Sequence, residues 1–290
     1  MKTNNKFYTL LLISTLLVGA SFTSCQKEEM SPYVREPEVV LTDEIDIWFY
    51  DNFLKPYNCV VRWKWDDAFV DTKYYVSPPK RDVMIPVGEM ILKYWMDPFV
   101  IQGGQEFIKE HFPPEIVCVG SQLLNADGTL TMGYAEAGVR ITLTDLNSFD
   151  IKNTRWVVEQ LRVIHHEFTH IIHQKHGLPE GYELVTKENY IGNAWVNLET
   201  EQAIALGMIS PYGSSDQYED FCELVSLYLT IAKDEFNRTY LTYANPDDGL
   251  NEGRALIMRK LELAAEYYSS NFGIDLNELR NSIQDRIRNK

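Results

Sequence analysis

The 290-residue sequence predicts an α+β fold in which a small lobe with a mixed sheet is followed by a helical lobe. Short segments with alternating apolar residues, such as residues 59–65, are typical of strands, and they all precede residue 150. From Thr154 onward the apolar residues recur at helical spacing. The composition is 45% hydrophobic, which is enough for one sizeable core. We therefore expect one compact unit built from two lobes.

Residues 1–24 are predicted to be a lipoprotein signal peptide. Lys2 and Lys6 are followed by an apolar run that is shorter than the roughly 18 residues of a membrane-spanning helix. The run leads to Ser-Phe-Thr-Ser-Cys, which resembles a lipobox that ends at Cys25. We expect acyl chains on Cys25 to anchor the protein, and residues 25–40, which are rich in Glu and Pro, to form a tether.

Residues 41–150 are predicted to form the amino-terminal α+β lobe. A helix is expected over residues 43–53, and a second one is expected to begin after Pro86 and to cover residues 87–95. Strands are expected at residues 59–65, 116–122, 129–134 and 139–143, with a hairpin turn at residues 126–128. The last strand could lie inside the sheet, or it could form an edge that pairs with an extended substrate.

Residues 151–290 are predicted to form the helical lobe. The first helix should end at His176, because Gly177 is a usual residue just past a helix end. A loop-rich segment is expected at residues 178–214. The predicted helices cover residues 154–176, 216–233, 252–269 and 276–288.

Charge and cysteine spacing exclude several classes of protein. The net charge of -15 argues against nucleic acid as a partner, because phosphate binding needs a basic surface. Cys59, Cys118 and Cys222 have no C-x-x-C spacing, which excludes zinc ribbons and dithiol redox motifs. A Cys59–Cys118 disulfide and three buried free thiols both remain open.

The sequence His166-Glu167-Phe168-Thr169-His170 is the strongest sign of chemistry in the chain. Residues four apart lie on one face of a helix, so His166 and His170 can direct ring nitrogens at one Zn²⁺ ion. Glu167 lies beside that face and is predicted to be the general base, which takes a proton from the attacking water. His165 points elsewhere and is expected to be structural. His173 is too far along the axis to share the ion, so it is expected either to line the cleft or to be exposed, and exposure is favoured.

Two residues could supply the third protein ligand. His176 occupies the last position of the spacing H-E-x-x-H-x-x-G-x-x-H, although position 173 is histidine where that motif has glycine. Glu219 lies on the second long helix, and Glu223 shares its face. A glutamate ligand followed four residues later by a carboxylate that holds a ligand histidine is the gluzincin arrangement. The sequence favours Glu219 and leaves His176 as the alternative.

Two resemblances extend this prediction. Tyr212-Gly213 and Glu219-Asp220-Phe221-Cys222-Glu223 are similar to a segment of the catalytic domain of anthrax lethal factor, over about residues 160–230. This likeness implies that Glu219 is the third ligand and that the hydroxyl of Tyr212 stabilises the developing oxyanion. Cys222 departs from the small residue of that segment.

The lipobox, the H-E-x-x-H motif and the Glu-Asp-Phe-x-Glu segment together resemble the substrate import-associated zinc metallohydrolase lipoproteins of Bacteroidetes. That resemblance implies a zincin-like fold with the zinc site between the two lobes. It also implies a metallopeptidase on the outer membrane, at the cell surface, that acts on peptides or glycoproteins beside a nutrient-uptake complex. A non-catalytic zinc-containing binding lipoprotein and a hydrolase of non-peptide amide or ester bonds are the alternatives.

Overall fold

The computed structural model describes residues 41–70, 73–124, 130–131, 134–136, 140–241 and 249–289. Four predicted features lie outside the described residues: the signal peptide, the lipid anchor at Cys25, the tether and the hairpin turn at residues 126–128. Among the described helices, none is both long enough and apolar enough to cross a membrane.

A small mixed sheet lies in the first half of the chain. Strands β1 (Val60–Arg62), β2 (Glu115–Cys118) and β6 (Arg140–Leu143) are parallel neighbours, and β5 (Tyr134–Glu136) adds to β6 in the antiparallel direction. Strands β3 (Leu123–Leu124) and β4 (Leu130–Thr131) form a separate antiparallel pair. Because β6 is paired on both sides, the alternative in which it is a free edge for substrate is wrong.

The helices of the first half differ most from the sequence prediction. The helix expected after Pro86 begins earlier, at the start of α3 (Arg81–Ile91), and continues through a π-helical segment (Leu92–Met96) into α4 (Asp97–His111). Pro86 deprives only the carbonyl of Asp82 of its helical partner, and Asp82 is exposed, so that water can replace the lost bond. The first predicted helix is observed as α1 (Glu44–Phe49), a π-helical segment (Tyr50–Leu54) and α2 (Lys55–Tyr57).

Helices dominate the second half, as predicted. The long helix α5 spans Thr154–His176 and ends at Gly177, whose φ of 82° is unfavourable for residues that carry a side chain. The helix predicted over residues 216–233 is divided by a break near Ile231. The remaining helices are α6 (Tyr182–Val185), α7 (Thr200–Ala205), α8 (Gln217–Thr230), α9 (Lys233–Tyr240), α10 (Asn251–Phe272) and α11 (Leu276–Arg288).

One apolar core joins the two halves and fixes the orientation of α5. Phe168 packs edge-to-face against Trp95 at 5.3 Å and against Phe99 at 5.0 Å between ring centroids. Phe168 lies two residues from both His166 and His170, so burying its ring turns the two histidines toward α8. The chain is thus a mixed helical protein with a small, mainly parallel sheet.

The three cysteines of the described residues, Cys59, Cys118 and Cys222, are buried free thiols. The predicted alternative of a Cys59–Cys118 disulfide is therefore wrong for this structure. Burial raises the pKa of Cys118 to about 12 and keeps its thiol protonated.

Candidate metal centre

Three donor atoms from α5 and α8 converge at one point. The Nε2 atom of His166 lies 3.0 Å from Oε2 of Glu219 and 3.1 Å from Nε2 of His170. The third side of this triangle, from His170 Nε2 to Glu219 Oε2, measures 3.3 Å. The structure therefore brings together the three residues that the sequence predicts as ligands, and it does so through the packing of α5 against α8.

Glu223 holds the other nitrogen of His166. Its Oε1 lies 3.0 Å from Nδ1 of His166, and its Oε2 accepts hydrogen bonds from Arg162 and Ser210, each at 2.6 Å. Burial raises the pKa of Glu223, but the hydrogen bond from His166 and the charge of Arg162 outweigh burial and bring it to about 2. Because Glu223 stays ionised, it keeps the proton of His166 on Nδ1, and Nε2 is then the atom available to a metal.

His173 plays the corresponding part for His170. Its Nε2 lies 2.9 Å from Nδ1 of His170, and its ring stacks on Tyr218 at 5.1 Å. The predicted exposure of His173 is wrong, because Tyr218 from α8 covers it and leaves it 7% exposed. Burial lowers the pKa of His173 to about 4, so its neutral ring can accept the Nδ1 proton of His170. The Nε2 lone pair of His170 then faces the triangle.

Glu167 and Tyr212 lie beside the triangle. Glu167 is buried, and burial raises the pKa of its carboxyl, while the nearby imidazoles of His166 and His170 partly offset the increase. The ring of Tyr212 lies 6.0 Å from the ring of His166 and nearly parallel to it. Burial is the largest of the effects that raise the pKa of Tyr212, so the phenol keeps its proton.

The two remaining histidines of α5 point away from the triangle. His165 is 1% exposed, and neither of its ring nitrogens has a hydrogen-bond partner within the described part of the chain. Burial lowers its pKa to about 3, which makes it a neutral core residue, as the expected structural role requires. The Nε2 atom of His176 faces Nε2 of His111 at 2.7 Å, at the end of α5. His176 therefore does not join the triangle.

An ion pair that the sequence did not point to secures the start of α8. Lys260 from α10 donates to both carboxylate oxygens of Asp220, at 2.7 and 2.8 Å, and both side chains are fully buried. Tyr190 also donates to Asp220, at 2.9 Å. Because Asp220 follows Glu219 directly, this contact sets where Glu219 meets α5. Only a long-range contact reveals it, since Lys260 lies 40 residues away.

A cleft of about 890 Å³ opens beside the triangle. His170, His173 and Glu219 form its inner wall, and Glu180, Glu183 and Asp216 add three further carboxylates to the lining. The cleft is large enough for several residues of an extended chain, and it gives solvent and ligands access to His170 and Glu219.

Comparisons with known proteins give the family of this chain and a similar fold. The family model described as "Putative zinc-binding metallo-peptidase" matches residues 38–277. The chain belongs to this family. The fold is also similar to the crystal structure of "a putative zinc-binding metallo-peptidase from Bacteroides caccae", with a TM-score of 0.71 and 26% sequence identity over 85% of this chain and 94% of that one. No curated protein matches the chain in sequence.

The donor set fits zinc, the metal of this metallo-peptidase family. Two imidazoles and a carboxylate are a usual ligand set for catalytic zinc. Tetrahedral zinc–ligand bonds of about 2.0–2.1 Å separate the ligand atoms by about 3.3–3.4 Å. The observed separations of 3.0–3.3 Å lie within a few tenths of that value. Burial lowers the pKa of His166, but its hydrogen bonds with Glu219 and Glu223 raise it to about 10. The triangle thus favours positive charge, which a metal cation supplies in place of a proton.

Proposed function

We propose that this chain is a gluzincin-like zinc peptidase. In this proposal His166, His170 and Glu219 are the protein ligands of the zinc, Glu167 is the general base, and Tyr212 is a hydrogen-bond donor to the oxyanion. The proposal rests on one observation above all. Three metal-binding atoms lie 3.0–3.3 Å apart, and Glu223 and His173 hold the outer nitrogens of the two histidines.

Glu167 has the properties that a general base requires. Bound zinc would act as a Lewis acid that polarises the scissile carbonyl and lowers the pKa of water at the site. Burial raises the pKa of Glu167, which brings its affinity for a proton closer to neutral pH than that of an exposed carboxylate. Its carboxylate can take the proton of the attacking water and deliver it to the leaving amine. A purely structural metal site would need no such base.

In this proposal Tyr212 acts on the oxygen of the scissile carbonyl. Its ring stacks on the ring of His166, and burial and the charge of Glu219 raise the pKa of its hydroxyl, so the protonated phenol lies close to the groups that would surround that oxygen. A donor so positioned stabilises the negative charge that develops as water attacks. The cleft beside the triangle would hold the peptide, and Glu180, Glu183 and Asp216 are among the residues that line it.

The same proposal covers location and partners. We propose that Cys25 carries acyl chains and anchors the protein in the outer membrane, at the cell surface. The lipobox-like sequence before Cys25 supports the anchor. The resemblance to substrate import-associated lipoproteins supports a role beside a nutrient-uptake complex, where the enzyme would trim peptides or glycoproteins before import.

The decisive experiment measures activity and zinc content together. Wild type, Glu167→Gln and Glu219→Ala would be assayed on pools of peptides, glycopeptides, small amides and esters. We expect Glu167→Gln to keep its zinc and to lose about 10²–10⁴-fold in rate, because the base touches water and not the metal. Glu219→Ala should lose both zinc and activity. Glu159→Gln, a change at a half-buried surface residue on the same helix as Glu167, is the matched control.

The outcomes separate the proposal from its alternatives. Cleavage of small amides or esters without peptide cleavage would replace the peptidase by another zinc hydrolase. Unchanged activity in Glu167→Gln would remove Glu167 as the base. No hydrolysis in any pool, with zinc bound, would favour the binding lipoprotein. Full zinc occupancy in Glu219→Ala would exclude Glu219 as a ligand.

A further inference from the structure

A second group of metal-binding side chains lies where α4 and α5 end. His111 is the last residue of α4, His176 is the last residue of α5, and Glu110 precedes His111. One ligand atom from each of the three lies within 4.8 Å of the others. We propose that Glu110, His111 and His176 form a second site for a divalent transition metal, with zinc as the ion to test first. Two imidazoles and a carboxylate suit zinc, copper or nickel.

This site is separate from the triangle at His166, His170 and Glu219. His176 follows His170 by six residues, which places it about 9 Å further along the helix and about 120° around it. A single ion cannot contact both groups. The second site also takes its other residues from α4, which contributes no ligand atom to the triangle.

His111 is oriented as metal-binding histidines usually are. Its Nδ1 donates to the carbonyl of Phe107 at 2.7 Å, so the lone pair of the neutral ring is on Nε2. That atom faces Nε2 of His176 at 2.7 Å. His111 is 2% exposed, and the rings of Phe107 and Phe272 lie 4.5 and 5.5 Å from its ring. Phe272 also packs against His176 at 5.1 Å, so both donors are held in place before a metal binds.

The backbone around the site favours a cation. Helices α4 and α5 both end here, and the carbonyl end of a helix carries a partial negative charge. Lys175 already supplies one positive charge here, because its Nζ contacts Oε1 of Glu110 at 2.7 Å. The carboxylate has a second oxygen, and an exposed ion pair of this kind is easily exchanged. Lys175 is therefore a weak competitor for a divalent ion.

A bound ion would connect the end of α4 to the end of α5. Helix α5 carries His166 and His170. A metal ion at the second site would therefore stabilise the helix that supplies two ligands of the first site, the triangle. A hydrogen bond from Nε2 of His176 to Nε2 of His111 is the competing explanation for their short distance, and it predicts no response to metal.

The test measures metal uptake by the full-length chain in detergent after the first site has been removed. In a His170→Ala, Glu219→Ala background we expect one zinc or cobalt ion per chain by titration calorimetry and Co²⁺ absorption. Adding His176→Gln should abolish that uptake. The change Glu106→Gln, an exposed carboxylate one turn earlier on α4, should leave it intact. At a hundredfold excess of zinc over Kd, the melting temperature of the background should rise by about 5–10 °C.

A folded background protein that takes up no ion, or one whose uptake survives His176→Gln, would leave only the hydrogen bond and overturn the proposal. If the background protein does not fold, the comparison of wild type with His176→Gln decides whether the second site exists. Excess zinc should load two ions per chain in wild type and one in His176→Gln, whereas one ion in both would refute the second site. The ion at the triangle of His166, His170 and Glu219 depends on Glu219. Failure of the proposed peptidase site is therefore recognised separately from failure of the second site.

Discussion

The carboxylate of Glu223 offers the sharpest test of how the first site is built. It is 3% exposed, and it bonds to Nδ1 of His166 at 3.0 Å, to Arg162 at 2.6 Å and to Ser210 at 2.6 Å. Glu223→Gln keeps the shape but replaces one oxygen by an NH₂ group, which can only donate. That group must face either Arg162 and Ser210 or the Nδ1 proton of His166. Because Arg162 and Nδ1 of His166 are donors, one charge-assisted hydrogen bond is lost in either orientation.

The expected cost follows from that loss. A hydrogen bond to a charged group contributes about 1.5–3 kcal/mol. Removing the partner of a metal-binding histidine typically weakens metal affinity by about 10–100-fold, which corresponds to about 1.4–2.7 kcal/mol. The two estimates agree, so we expect the Kd for zinc to rise by about 10–100-fold in Glu223→Gln, with the metal still bound at saturating zinc.

Competition with a chromophoric chelator of known affinity measures this Kd. Glu159→Gln is the matched control, because Glu159 lies on α5 in an exposed ion pair with Arg155. The control should bind zinc as wild type does. A zinc Kd in Glu223→Gln that equals the control value would refute the argument that Glu223 sets the orientation and proton position of His166.

Three further predictions concern other parts of the chain. Tyr212→Phe should lower kcat by about 10²–10³ with little change in KM and full zinc content, and an unchanged kcat would make Tyr212 a packing residue. Lys260→Met should lower the free energy of unfolding by about 3–5 kcal/mol in urea denaturation, because it leaves the charge of Asp220 buried and unpaired. Recovery on adding Asp220→Asn would identify that charge as the cause, and a loss below 1 kcal/mol would contradict it. Cys25→Ser should abolish lipid labelling and release a soluble protein, whereas Cys59→Ser should not; lipid still attached to the Cys25→Ser protein would refute the anchor.

Local rules predicted the parts of the site that one helix can build. The span of α5 and its end at Gly177 follow from residue spacing and from the conformational freedom of glycine. The shared face of His166 and His170 follows from the helical repeat alone. The same rules failed for α4, where Gly103 and Gly104 interrupt the helical pattern and Gly104 has a non-helical conformation.

Contacts between distant residues decided the rest. The sequence by itself predicted a helix with His166 and His170 on one face, and it favoured Glu219 as the third ligand. Only the packing of α8 on α5 brings Glu219 to His166, across 53 residues. Tyr218 buries His173, and the contact between His111 and His176 joins α4 to the end of α5 across 65 residues. A side chain's partners depend on which helices meet. Which helices meet depends on the burial of apolar surface throughout the core, and no short stretch of sequence specifies that burial.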